Sequence, residues 1–291
     1  MKNISIDIQL HQFINLIILF ILGYYFANIY LDISTLLLIL VFTFLFEHIL
    51  IYIKSKEINY ISYSSLSTAM GVGMMMVSTK SYILIVLIAL ALLQKHFLRY
   101  KDIHYFNPSN FALISGLLLF YNKTHIVLGQ LGDELWFQVV LWIMALFILI
   151  RVDRWLIPLV FIATYILSQY YLVVYYDPMI ILDSVIDRFY SVSFILFILF
   201  MLTDPKTTPK SYVLEIVFGV LIAFLSTLLD RWYGFRVEHL FEVLFVITPL
   251  FALEKVWDKT NFLIVSILLV LSTSAIIYIQ LQPPYYFEMD S

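Results

Sequence analysis

The 291-residue chain contains no cysteine, which excludes disulfides, thiolate-ligated iron–sulfur clusters, c-type haem attachment and a cysteine nucleophile. Charge is scarce too: 13% of residues are charged, against about 25% in a soluble domain. The net charge of −3 is dispersed, with no basic patch, so nucleic acid is excluded as a partner. Ser-His-Asp order, H-E-x-x-H, a Walker loop and metal-ligand spacing are all missing, which leaves soluble-type hydrolysis without support. Gly71 and Gly73 do not form a dinucleotide fingerprint, because the strand and the third glycine are absent.

Apolar residues are abundant instead. They make up 63% of the chain, the mean hydropathy is +0.96, and no polar block is long enough to fold separately. The expectation is a single integral membrane domain over residues 1–291, multi-pass and embedded in the lipid bilayer. A hydrocarbon core of about 30 Å takes roughly 20 helical residues to cross. Eleven candidates answer to this: Phe13 to Leu31, Ile33 to Ile53, Ser64 to Val77, Tyr82 to Leu98, Ser109 to Tyr121, Leu135 to Ile150, Trp155 to Tyr176, Phe189 to Leu202, Ser211 to Leu229, Leu240 to Val256 and Phe262 to Leu281. The first lacks an A-x-A-like site at its far end and reads as an uncleaved span. The third and fifth are short, as tilted helices or as half-helices lining a cavity. The fold class is therefore an all-α polytopic helical bundle of 10 or 11 transmembrane segments.

Orientation follows from lysine and arginine. With the N-terminus cytoplasmic, twelve fall inside (Lys2, Lys54, Lys56, Lys95, Arg99, Lys101, Arg151, Arg154, Lys206, Lys210, Lys255 and Lys259) and five outside (Lys80, Lys123, Arg188, Arg231 and Arg236). Tyrosine pairs such as Tyr24–Tyr25 and Tyr175–Tyr176 near span ends fit interfacial belts. No internal repeat is convincing.

Four constellations stand out. In KHFLRYKDIHYFNPSNFAL, Lys95 to Leu113, a basic helix end meets an Asn-Pro turn. Ser109 or Asn110 can cap the next helix there. Local chemistry leaves two readings, a capped cytoplasmic loop or an anion site at a helix N-terminus beside Lys95, Arg99 and Lys101. In LTDPKTTPKSY, Leu202 to Tyr212, two prolines stop one helix, and Asp204, Thr207 or Thr208 can cap another near Pro209. This is either a capped turn or a pocket of Thr203, Asp204, Lys206, Thr207 and Thr208 facing the FNPSN turn. Glu47 and His48, inside the second span, are ion-pathway candidates, or groups that simply reach the interface. The small residues of SSLSTAMGVGMMMV, Ser64 to Val77, favour close helix packing.

The pair KH-x-x-R…FNPSN and FMLTDPKTTP, Phe200 to Pro209, resembles the NqrB/RnfD family, the related membrane components of the Na⁺-translocating NADH:quinone reductase and of the Rnf electron-transport complex, in particular its compact RnfD-like branch. The resemblance implies an inner-membrane bundle of about ten spans that binds flavin, FMN or riboflavin, within a redox complex, and assists electron transfer coupled to ion movement alongside other components of the complex. By matching position it assigns cofactor binding to Lys95, His96, Arg99, Asn107, Pro108, Ser109, Asn110, Thr203, Asp204, Lys206, Thr207 and Thr208. Family members with covalent FMN attach it to the threonine of S-G-A-T, and that motif is absent here. Any flavin is thus expected to be non-covalent, and any iron–sulfur centre to belong to a partner. On this footing the chain is at most a flavin-carrying or non-catalytic component of an oxidoreductase. The alternatives are a transporter or permeation protein of the same fold that has lost its cofactor, and a structural or assembly component.

Overall fold

The computed structural model describes residues 8–26, 31–56, 62–101, 103–127, 139–140, 142–144, 155–176 and 182–282. The helices are α1 (Ile8–Phe26), α2 (Ile33–Ser55), α3 (Tyr63–Met75), α4 (Ser81–Phe97), α5 (Pro108–Leu119), α6 (Leu156–Tyr175), α7 (Leu182–Arg188), α8 (Val192–Leu196, continuing as a π-helical turn Phe197–Met201), α9 (Tyr212–Tyr233), α10 (Glu238–Lys255) and α11 (Lys259–Gln280). Ten of the eleven candidate spans coincide with these helices; the sixth, Leu135 to Ile150, lies largely outside the described residues. Five helices, α1, α2, α6, α9 and α11, are long and apolar enough to cross a membrane. The chain is an all-α, multi-pass membrane bundle.

The inner faces of α2 and α9 carry buried polar and charged residues among apolar ones, while their outward positions are mostly apolar. On α2 the buried stripe is Leu36, Ile39, Thr43, Glu47 and Leu50; on α9 it includes Glu215, Gly219, Ala223, Ser226, Thr227 and Asp230. Both follow the three-to-four residue spacing of one helical face. Small residues let the backbones close up. A Cβ on Gly219 would stand 3.1 Å from the Ile157 carbonyl oxygen and 3.3 Å from the Phe161 nitrogen, so α9 seats its backbone directly on α6.

The short third and fifth spans are helices of 13 and 12 residues that give way to extended chain. Strand β1 (Met76–Ser78) follows α3, and β4 (Thr124–Ile126) follows α5 after a single 3₁₀ turn; they pair antiparallel, Met76 opposite Ile126. Irregular backbone survives in a bilayer only where protein satisfies it. Here the two strands satisfy each other, and beyond them Val127 donates its N–H to the Met75 carbonyl at 2.9 Å. Ser193, at the start of α8, donates its hydroxyl to the Val127 carbonyl. The short helices α3 and α8 thereby both bond to Val127, just beyond the end of β4. A second hairpin, β2 (Arg99–Tyr100) and β3 (Ile103–His104), joins α4 to α5.

Contacts between loop cations respect the charge-based orientation. Lys255 donates to the Lys206 carbonyl, both from the inside set; Thr79, beside Lys80, bonds the Lys123 carbonyl, and Arg231 lies 4.3 Å over the Tyr176 ring, on the outside.

Candidate functional site

Each of the two proline turns is built by its own chemistry. Asn107 is the N-cap of α5: its side-chain oxygen accepts from the Ser109 N–H at 3.0 Å and the Asn110 N–H at 3.2 Å, and Pro108 fills the first helical position. The cap expected from Ser109 or Asn110 thus belongs to Asn107. The freed Asn110 amide crosses the core to donate to the Phe241 carbonyl at 3.1 Å. Because Asn107 already occupies the leading N–H groups, the helix terminus is not open to an anion. Lys101 is also turned away, paired with Asp258 at 2.8 Å.

In the other turn Asp204 does not cap the following helix. It folds the turn on itself, its Oδ1 taking the Lys206 N–H at 2.9 Å while its carbonyl accepts from the Thr207 and Thr208 N–H groups and the Thr208 hydroxyl. Helix α9 begins later than Pro209, at Tyr212, capped by Ser211; the Glu254 carboxylate of α10 takes the Lys210 and Ser211 N–H groups at 2.9 Å each. Thr203 bonds back to the Leu199 carbonyl.

One hydrogen bond joins the turns. The Asn107 amide donates to Asp204 Oδ2 at 3.0 Å, across 97 residues of sequence. It sits on the wall of a cavity of about 520 Å³ enclosed by α1, α3, the tip of α4, β3, both turns and the π-helical end of α8. A volume in this range suits a small-molecule ligand. Leu16, Met75, Leu196, Phe200 and Met201 form apolar walls, and Lys95, His104, Asn107, Ser109 and Lys206 supply polar groups. The π turn, where Leu202 N–H reaches the Phe197 carbonyl, ends beside Phe200 and Met201, which line the space. Gly71 leaves open space beside Ser109 of α5, where a Cβ would make ordinary contact with Ser109 Oγ at 3.4 Å. Ser67 Oγ is buried on this wall with no partner. Burial among basic neighbours, Lys206 first, holds the His104 imidazole down to about 4, so it faces the cavity neutral.

Of the sequence-derived candidates, Lys95, Asn107, Pro108, Ser109, Asp204 and Lys206 line the cavity. Asn110, Thr203, Thr207 and Thr208 are buried behind it, and His96 and Arg99 are not on its wall. Glu47 and His48 separate. His48 bonds its own helix at the Phe44 carbonyl, whereas Glu47 faces inward and contacts α4, with Oε1 3.2 Å from Lys95 Nζ and Oε2 2.9 Å from His96 Nε2. No cluster of three or more metal-ligating side chains exists among the described residues.

The opposite half of the bundle holds a buried cluster that no sequence motif marks. Asp230 is fully buried and accepts from Gln169 Nε2 at 2.6 Å, Arg188 Nη1 at 3.1 Å, His239 Nδ1 at 2.8 Å and the Arg236 N–H at 3.1 Å. Arg188 also donates to Tyr165 and lies 3.5 Å over the Phe235 ring. One turn along α10, Glu242 takes the Gln280 amide at 2.7 Å.

Residues 96–262, more than half of the chain, match the model of the NQR2, RnfD, RnfE family. The chain belongs to that family. The matched region starts at His96 and contains both proline turns, whereas the α1 and α3 walls of the cavity and Lys95 precede it. Family membership makes this protein a membrane component of an electron-transport, ion-translocating complex. No curated protein matches the chain.

Proposed function

We propose that this NQR2, RnfD, RnfE family member resides in the inner membrane and holds a flavin, FMN or riboflavin, non-covalently in the cavity between its two proline turns, where it assists electron transfer. The observation that carries the reading is the Asn107–Asp204 hydrogen bond, which clasps the two family-like motifs at the wall of a cavity of about 520 Å³. The lining suits a planar amphipathic ring. Phe200, Met75 and Met201 offer apolar and polarisable surface to its faces, and the unpartnered Ser67 hydroxyl offers a hydrogen bond to its edge. A phosphate, where FMN is the ligand, would face the exposed Lys206 at the mouth, because the α5 terminus is closed by its own cap. When bound, flavin supplies exchange between one- and two-electron carriers, for which the side chains have no substitute.

Purification in mild detergent followed by acid release and a visible spectrum tests this directly. Flavin at substantial occupancy is expected, and its absence would sink the proposal. Asn107→Ala removes a cap worth about 1 kcal/mol and unclasps the turns, so its flavin affinity should fall measurably below that of the wild type by fluorescence titration.

A further inference from the structure

Lys95, Glu47 and His96 form a continuous hydrogen-bonded line between the cavity and the protein surface. Lys95 lines the cavity, and its Nζ is held by Ser65 Oγ at 2.6 Å, Glu47 Oε1 at 3.2 Å and Ser62 Oγ at 3.4 Å. Glu47 is buried among apolar neighbours on α2, with one carboxylate oxygen on Lys95 and the other on His96 at 2.9 Å. His96 ends the line, its side chain 13% exposed against 3% for Glu47. A structural ion pair needs only one cation for one carboxylate. Here three exchangeable groups are strung together, leading away from the cavity.

We infer that Lys95, Glu47 and His96 are a proton relay that delivers protons from the cytoplasmic side to the occupant of the cavity. The inference rests on the flavin reading and adds the residues that supply its proton. Were the occupant reduced by two successive electrons from a one-electron carrier protein, Lys95 would supply the accompanying proton from its ammonium group and be left as a neutral amine. Protonated His96 would then give a proton to Glu47 Oε2, and the neutral carboxyl would turn about its carboxyl bond to pass that proton to the Lys95 amine, leaving Glu47 ionised again. His96 is reprotonated from water. The charged and titratable groups around the line are Glu47 on α2, Lys95 and His96 on α4, His104 and Arg99 on the hairpin, and Asp204 and Lys206 on the second turn. His48 lies off it, bonded to Phe44.

The test uses the full-length holoprotein in lipid nanodiscs, reduced by dithionite in a stopped-flow instrument. Flavin bleaching is read in H₂O and D₂O, and proton uptake is read with a pH-indicator dye. The wild type should show a solvent isotope effect and coincident bleaching and uptake. Glu47→Gln and His96→Gln, neither of which lines the cavity, should keep the wild-type flavin dissociation constant. They should slow uptake and bleaching by at least about tenfold, within the range for loss of a general acid. Imidazole in the buffer should restore the rate in His96→Gln, which a merely structural defect would not allow. Flavin bound in both variants with wild-type kinetics, or slowing in His96→Gln that imidazole does not relieve, would overturn the relay alone. Wild-type protein without flavin would overturn both readings.

Discussion

Two buried histidines and one arginine show how single side chains set the conditions under which this bundle holds. His104 in the β2–β3 hairpin titrates near 6.5 when unfolded and is held down to about 4 in the fold, chiefly by burial. Between those values the unfolded chain binds a proton that the folded chain refuses. Stability therefore falls as pH drops from 6.5 towards 4 and levels off below. The thermal midpoint of the solubilised protein should drop between about pH 7 and about pH 5, and the drop should shrink in His104→Gln. Arg188 makes the opposite kind of contribution. It shares Asp230 with His239 in a site where all three are buried, and removing one partner of such a pair costs about 3–5 kcal/mol because the remaining charge is stranded. Arg188→Met should lower the unfolding midpoint strongly. Lys101→Met, which breaks a solvent-exposed pair with Asp258, should shift it far less.

At the scale of elements, span existence is legible in the sequence and span ends are not. The candidates Ser211 to Leu229 and Leu240 to Val256 stop one residue short of Asp230 and His239, which assigns both to a loop, whereas α9 runs on to Tyr233 and α10 starts at Glu238. Trimming there removes the very residues that form the outer cluster, since a buried charge offsets its desolvation cost by pairing across helices, and pairing across helices leaves no local pattern. The signal that finds them is spacing. Ser226 and Asp230 continue the small and polar stripe of α9, and His239 and Glu242 share one face of α10. Glu47 and His48 both stand out in the sequence for their depth in the second span; the stripe through Thr43 and Glu47 separates them, because neighbours in a helix point about 100° apart. The cavity is legible as a pair of turns, but Met75, Phe200 and Ser67 are not, being ordinary members of apolar or small-residue runs. Gly219 carries the element-scale prediction. Its Cβ-less backbone touches α6 backbone, which has no flexible end to move aside. Gly219→Ala should cost about 1–3 kcal/mol of overpacking, seen as a lowered thermal midpoint, while Gly234→Ala, in open space, should be limited to the strain of its positive φ.

For the whole molecule, two polar centres lie at opposite ends of one bundle. The centre at one end surrounds a cavity and a line of proton-bearing groups; the centre at the other is packed tight around Asp230. Between them α3, the π-helical end of α8 and α10 bury an apolar layer containing Met70, Val72, Phe197 and Phe241. The distribution of lysine and arginine sets the expectation that the cavity end faces the cytoplasm. The complete absence of cysteine makes this directly measurable, since every thiol introduced will be the sole thiol of the chain. Trp257, 78% exposed between α10 and α11, marks the cavity end, and Asn122, exposed between α5 and β4, marks the other. In intact cells a membrane-impermeant maleimide should label Asn122→Cys and spare Trp257→Cys, and in inverted vesicles the pattern should reverse. Labelling of both from the same side would break the topology, and with it the delivery of cytoplasmic protons to the cavity.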